Sequence, residues 1–419
     1  VQVEGKSDIK VSASNYLKDP FLKGQIKISN LKVDTVRYGD IRLDADWMKL
    51  EKTVHIDGEI FNRETQSKLD VKGFVDFHES REELDVTATL SRTDARWLEK
   101  VLSPDLYDIH GYADGFIQVY GTFDKPLLIG AVNIDSGSFV VDAMNVRYNT
   151  GNKPISILLT DESIDFNKVK LYDDFGGIAQ VNGKVLHNYL RNTRLDLTLE
   201  IPEKKKTGES NKVLVYNFPA FTTGDAFYGT AFATGLATIK GHISLIDFNV
   251  RAKSQDGTLL KIPLEETEYS NTADFMQFTV KDTLVNAAKK QRKVALEGVN
   301  FYLDLEATPD AEIHLIFDEL AGDVIRGRGK GNLKMAYDKD DDFTLFGNYE
   351  ITKGDYHFTW ENIIDKKFDL VPGGTLVWSG DPYHAQMNLQ AMYTQRTTLT
   401  NLVSTDYDQS RLQDTTRNL

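Results

Sequence analysis

At 419 residues the chain exceeds an ordinary single domain, so a globular reading predicts two or three domains and only an elongated repeat escapes that rule. A net charge of -14 and a pI near 5.1 exclude the concentrated basic face that nucleic acid needs and disfavour docking on anionic lipid surfaces. Cysteine is absent, which excludes disulfides and thiolate metal sites, while 27% charged and 41% hydrophobic residues argue against a largely disordered chain.

No run approaches the ~18 apolar residues of a membrane helix, and no signal peptide opens the sequence. The chain starts in mid-pattern and closes on a polar tail, as a segment of a longer protein would. From the N-terminus the period is two. Ile41, Leu43, Ala45 and Trp47 alternate with Arg42, Asp44 and Asp46; Val54 and Ile56 precede an Asp57-Gly58 turn signal; Leu84, Val86, Ala88 and Leu90 alternate with Asp85, Thr87 and Thr89. These patterns predict one-sided strands. Thr93-Asp94 supplies a cap before Trp97, Leu98, Val101 and Leu102, which share one helical face until Ser103-Pro104, so one short helix is expected near 94–102.

From Gly111 a module follows: a Gly-led strand, a Gly-Thr-Phe-Asp-Lys-Pro turn, a second strand and a Ser-Gly-Ser return. Parts of it recur in Gly177–Val185 with Leu195, Leu197, Leu199 and Ile201, and in Gly235–Ile243 with Ile246, Phe248, Val250 and Ala252. A further echo is Gly329–Tyr337 with Phe343 and Leu345. Degenerate repeats of this kind suggest one unit stacked along an axis, a protein that grows in length and not in girth. EKKKTGES at 203–210 and NAAKKQRK at 286–293 read as solvated connections.

Residues 347–393 hold several strand patterns in a row. Tyr349 and Ile351 alternate before a Lys353-Gly354-Asp355 turn signal, then Tyr356, Phe358 and Trp360 alternate again. Phe368 and Leu370 lead into Pro372-Gly373-Gly374, and Leu376 and Trp378 into Ser379-Gly380-Asp381-Pro382. In the last run Tyr383, Ala385, Met387, Leu389, Ala391 and Tyr393 lie on one face of a strand, with His384, Gln386, Asn388 and Gln390 on the other.

Reactive chemistry is hard to assemble from this chain. The histidines, His55, His78, His110, His187, His242, His314, His357 and His384, never fall at a close metal-ligand spacing. His357 and His384 lie near Asp355 and Asp381, but neither pair has a nucleophile or anion loop beside it. GRGKGN at 327–332 lacks the Walker spacing, and DKDDD at 338–342 lacks the spaced ligands of a calcium loop. The expectation is a protein with no catalytic residue, no metal and no cofactor. The apolar stripes leave two alternatives open: a closed β-sandwich or barrel core, or a sheet curled into a trough open to apolar cargo.

The C-terminal motifs carry a resemblance. Gly354-Asp-Tyr-His-Phe358, then Lys366-Lys-Phe368, then GGTLVWSGDP at 373–382, then the alternating run through Ala391-Met-Tyr393 resemble, in that order, the C-terminal domain of the TamB family. Its members are translocation and assembly module subunits within the AsmA-like group of bridge-like lipid transfer proteins. The likeness is densest over about 300–400, and Thr222–Phe232 is similar to bacteroidete-type members. The resemblance implies an all-β fold: an elongated, curled antiparallel sheet, or β-taco, with a hydrophobic groove. It divides the chain into a repetitive β segment with the short helix (1–110), a β-taco repeat segment (111–300) and an incomplete C-terminal β domain (301–419). On the apolar parity of their strands, Leu195, Leu197, Leu199, Phe248, Val250, Leu333, Met335, Tyr349, Ile351, Met387 and Leu389 would line the groove. The resemblance further implies a periplasmic protein bridging inner and outer membranes, with its membrane anchor outside this segment. Phospholipid acyl chains would be the cargo and an Omp85-type outer-membrane barrel protein the partner. An alternative is a scaffold or chaperone for assembly of outer-membrane β-barrels.

Overall fold

Alternation becomes strand along nearly the whole chain. The computed structural model describes residues 3–14, 21–33, 36–48, 52–77, 83–103, 105–222, 227–263, 298–318, 322–338, 343–360, 364–382, 384–394, 396–398 and 416–418. His78, NAAKKQRK, 339–342 of DKDDD, 223–226 of the Thr222–Phe232 stretch, Tyr383 and most of the polar tail lie outside these residues, as does the side chain of Trp360.

The first strands are β1 (Val3–Ser14), β2 (Phe21–Val33), β3 (Val36–Met48), β4 (Thr53–Asn62), β5 (Ser67–Asp76) and β6 (Glu83–Asp94). The helix expected near 94–102 is only a short turn. Ala95–Leu98 forms a 3-10 turn capped by the Asp94 side chain, four more helical residues follow, and β7 begins at Leu106. Then come β7 (Leu106–Thr122), β8 (Pro126–Val141), β9 (Val146–Asn149), β10 (Ile155–Leu159), β11 (Ser163–Asp173), β12 (Ile178–Asn188), β13 (Arg191–Ile201), β14 (Val213–Phe218), β15 (Tyr228–His242), β16 (Leu245–Ser254) and β17 (Leu259–Pro263). The remainder is β18 (Val299–Ala307), β19 (Glu312–Asp318), β20 (Asp323–Tyr337), β21 (Phe343–Trp360), β22 (Ile364–Leu370), β23 (Thr375–Gly380), β24 (Gln386–Asn388), β25 (Ala391–Met392) and a separate pair, β26 (Arg396–Thr398) with β27 (Thr416–Asn418).

All strands but that last pair form one sheet. Neighbours pair antiparallel except at β16–β18 and β17–β19, which are parallel among the described residues. From β8 onward the longest strands, β8, β15, β20 and β21, carry two partners side by side along one edge. β8 pairs β10 through 130–134 and β9 through 138–141; β15 pairs β13 through 235–242 and β14 through 229–233. β20 pairs β18 through 331–337 and β19 through 323–328, and β21 pairs β23 through 345–350 and β22 through 355–360. The sheet therefore has two wings that share its long strands.

Each change of partner falls at a kink. In β15 it is Gly235, at φ +144° with the Arg251 carbonyl oxygen 2.0 Å from where a Cβ would stand, a place only glycine fills. In β21 it is a bulge that leaves Thr352 unpaired between Ile351 and Lys353. Inside these corners sit two packed clusters. One joins Val146, Tyr148, Ala179, Ile201, Val213, Leu214 and Phe232; the other joins Ala307, Ile325, Tyr349, Ile351, Leu370 and Leu376.

Three local expectations are corrected. Asp57-Gly58 is no turn, because β4 runs through it with Gly58 opposite Leu43 and Val71. Lys353-Gly354-Asp355 lies inside β21, where Gly354 admits the Arg326 carbonyl oxygen to 2.4 Å from a Cβ position. The single strand expected over 383–393 is two short ones, since β24 pairs β23 in one wing and β25 pairs β22 in the other.

Candidate functional site

Register across the sheet builds one long surface. Ile9, Ile26, Leu43, Gly58, Val71, Ala88, Ile117, Gly130, Leu159, Ile164, Val185, Leu195, Gly241, Ile246 and Val299 stand opposite one another from strand to strand. A neighbouring row on the same face runs Ser7, Ile28, Ile41, Ile60, Leu69, Leu90, Gly115, Val132, Ile157, Phe166, Gly183, Leu197, Ile239, Phe248, Phe301, Tyr337 and Phe343. No Asp, Glu, Lys or Arg stands in either row. The path passes β1 to β8, then β10 to β13, β15, β16, β18, β20, β21, β23 and β24. At ~4.8 Å per strand step this spans roughly 85 Å.

The opposite face is ionic. Lys72 stands across from Asp57 at 3.7 Å, Lys184 from Asp165 at 3.7 Å, Lys240 from Asp196 at 3.2 Å, Lys253 from Glu306 at 3.1 Å and Lys330 from Glu350 at 3.6 Å. Each exposed pair contributes little to stability, but together they hold that face in water and the apolar parity inward.

All of the nominated groove residues fall on the apolar face. Leu195 and Leu197 lie in the rows above. Leu199, Val250 and Met335 share a third row through Ala237 and Leu303, and Phe248 stacks on Phe301 with ring centroids 5.6 Å apart. Leu333 faces Leu305, Tyr349 faces Leu376, and Leu376 faces Met387. Their surroundings differ. Tyr349 and Ile351 are 4% and 2% exposed inside the second cluster, and Leu389 packs against it, whereas Met387 is 50% exposed. Leu195, Leu197, Leu199, Phe248, Val250 and Met335 are half-buried, and Leu333 is buried.

A cavity of about 130 Å³ lies where the wings face each other. Phe227, Ile262 and Leu315 line it from one wing; Met335, Phe343, Leu345, Leu376, Trp378 and Met387 line it from the other, with Pro382 and Ala385 at the β23–β24 turn. Ile262 and Leu315 were not among the nominated residues. Both alternate within their strands, so their burial was readable, but nothing local reveals that β17 and β19 form a second wing.

The buried polar groups are structural. Asp173, 3% exposed, accepts hydrogen bonds from the backbone N–H groups of Phe175, Gly177 and Leu214, tying the β11–β12 turn to β14. The Tyr148 hydroxyl donates to the Leu214 carbonyl at 2.8 Å, and burial, with the nearby Asp173 charge, pushes it well above its ordinary range. The Tyr349 hydroxyl has no hydrogen-bond partner among the described residues, and burial pushes it up to about 12. His357 bonds Asp365 at 2.7 Å and His384 bonds Asp381 at 2.6 Å, both exposed pairs. Among the described residues no group of His, Asp and Glu side chains is placed to hold a metal ion, and no helix is long and apolar enough to cross a membrane.

A curled sheet with a long apolar inner face defines a groove-bearing all-β protein. The chain belongs to the TamB family, since the model of the TamB C-terminal domain matches residues 170–417, more than half of its length. No curated protein and no solved structure matches the chain. The inner rows continue upstream of the matched region without a break in register, as far as β1.

Proposed function

We propose that this chain carries phospholipid acyl chains along its inner face between the inner and outer membranes of a diderm envelope. The observation that supports this reading is the pair of charge-free rows in continuous register, still half open along most of their length. Burying a methylene is worth about 0.8 kcal/mol, so an acyl chain leaving a bilayer for water loses on the order of 10 kcal/mol, and a continuous apolar floor removes that barrier. The headgroup stays in water at the open seam, and no catalytic residue is required. In this reading the protein lies in the periplasm, is anchored by a segment beyond this one, and meets an Omp85-type barrel protein at the outer membrane.

The test is a photocrosslinking residue in place of Leu197, on the inner face, and of Asp196, on the outer. Lipid adducts at 197 and none at 196, read by mass spectrometry, are expected. Equal labelling at both positions, or none, would overturn the conduit. Adducts at 197 with an unfolded outer-membrane protein in place of lipid would favour the assembly role.

A further inference from the structure

We infer that the cavity between the wings seats the methyl end of an acyl chain and forms the stop at the C-terminal end of the groove. The inference rests on the lipid reading above and goes on to fix which end of the ligand reaches this place. Phe227, Ile262 and Leu315 face Met335, Leu345 and Trp378 across the space, so hydrocarbon meets it from both sides. Among the described residues the indole N–H of Trp378 is the lone polar side-chain group in that lining, and it already donates to the Pro382 carbonyl at 3.1 Å. The lining side chains therefore offer a headgroup, a glycerol ester or a carboxylate no free partner, and seating one would leave it desolvated and unbonded.

Size and approach agree. A dry apolar cavity of about 150 Å³ takes a benzene-sized group, so the ≈130 Å³ here suits roughly the last six carbons of a chain. The row Leu199, Ala237, Val250, Leu303, Met335 and Leu345 runs straight to it, and its last two members line the cavity. On the next strand Gly380 stands opposite Leu345, and Leu376, opposite Tyr349, lines the cavity to one side of the row and is itself 4% exposed in the packed cluster with Tyr349 and Ile351. A chain that follows this row and turns into the cavity meets a wall there. Its headgroup end must then lie back over the earlier strands.

Tryptophan fluorescence reads this directly, because Trp378 lines the cavity and Trp47 lies on the same inner face in β3. Two full-length variants would keep one indole each, with the other tryptophans changed to Phe; the Trp97 N–H has no partner to lose. Both are mixed with phosphatidylcholine brominated either near the ester or near the methyl end. The expected result is at least a threefold stronger quenching of Trp378 by methyl-end bromine than by ester-end bromine, with Trp47 quenched by both. Adding Ile262→Phe to the Trp378-only protein fills the cavity and should abolish the preference. Quenching of Trp47 with none at Trp378, or equal quenching of Trp378 by both lipids, would overturn the seat while leaving the conduit standing. No quenching of either indole would bring down both.

Discussion

The strands β1 to β6 and β15 to β25 are built on the same apolar face, yet they have different interiors. In β1 to β6 the sheet is one wing wide: Ile9 is 64% and Val11 75% exposed on β1, the inner residues of the next strands are half-buried, Leu90 on β6 is down to 4%, and no packed cluster forms among the described residues. In β15 to β25 a second wing leans over part of the same face, and there Ile351 and Leu376 are 2% and 4% exposed. Alternation alone leaves both core and trough open. The comparison resolves them locally: the same parity is core where the second wing covers it and open floor where it does not.

The largest expected effect breaks that contrast directly. Ile351→Asp buries a charge in the packed corner and should cost about 4 kcal/mol, against under ~1 kcal/mol for Ile26→Asp, whose carboxylate reaches water on the one-wing sheet. Urea unfolding of both variants checks this, and equal losses would mean that the N-terminal rows are as closed as the C-terminal ones. Next comes Asp173→Ala, which strands three backbone N–H groups, those of Gly177 and Leu214 in buried bonds, and should cost about 3 kcal/mol. Its counterpart Asp44→Ala should cost about 1 kcal/mol, because Gln25 and Arg42, which bond Asp44, can turn to water. Thermal melts of the two would separate them.

At the C-terminal end, Leu389→Asp should lose about 2 kcal/mol through its contact with the corner cluster, and Met387→Asp under ~0.5 kcal/mol. A reversed order in melting temperature would place the wall on the wrong side of Leu389.

Acid supplies a subtler probe. Burial pushes the Asp44 and Asp94 carboxyls up, but hydrogen bonds from Arg42 and Gln25 and from Arg96 outweigh it and hold both below their usual range. Glu312 is held down by hydrogen bonds from His314 and Arg328. A depressed carboxylate stabilises the fold above its unfolded pKa and loses that contribution as pH falls through the folded one. Stability should therefore hold at neutral pH and decline below about pH 4. Hydrogen exchange should show the N-terminal strands opening first, since no packed cluster backs them; simultaneous opening would contradict the contrast. The smallest effect is Tyr349→Phe. It removes a buried hydroxyl without a partner, so it should be neutral or stabilising by under ~1 kcal/mol in a melt.

Much of this was readable in the residues, for a physical reason: a period of two with charges on one parity leaves only one face that can turn inward. Leu195, Leu197 and Leu199 were placed by Arg194, Asp196 and Glu200 beside them. Gly58 and Gly354 were misread because a glycine that admits a neighbouring strand looks the same in sequence as one that turns the chain. The split of 383–393 into two strands, and the second wing formed through Ile262 and Leu315, depend on partners far away in the chain. So does the closure that makes Tyr349 and Ile351 core. Short-range pattern carries none of that.

The two parallel pairings bear on how such a sheet is assembled. An antiparallel pair has a near end, where closing a short loop lets the rest zip up, as Ile201 meets Gly235 before Arg194 meets His242. Between β16 and β18 the separation stays at 53 residues along the whole ladder, as for Asp247 and Asn300. There is no near end from which to begin. The full loop-closure entropy falls due before the first contact forms, so this ladder should be a late step, joining an upstream and a downstream block that have each already folded on local hairpins. Variants at Phe248 or Phe301 would then speed unfolding and leave the folding rate unchanged, a kinetic signature that stopped-flow measurements can read.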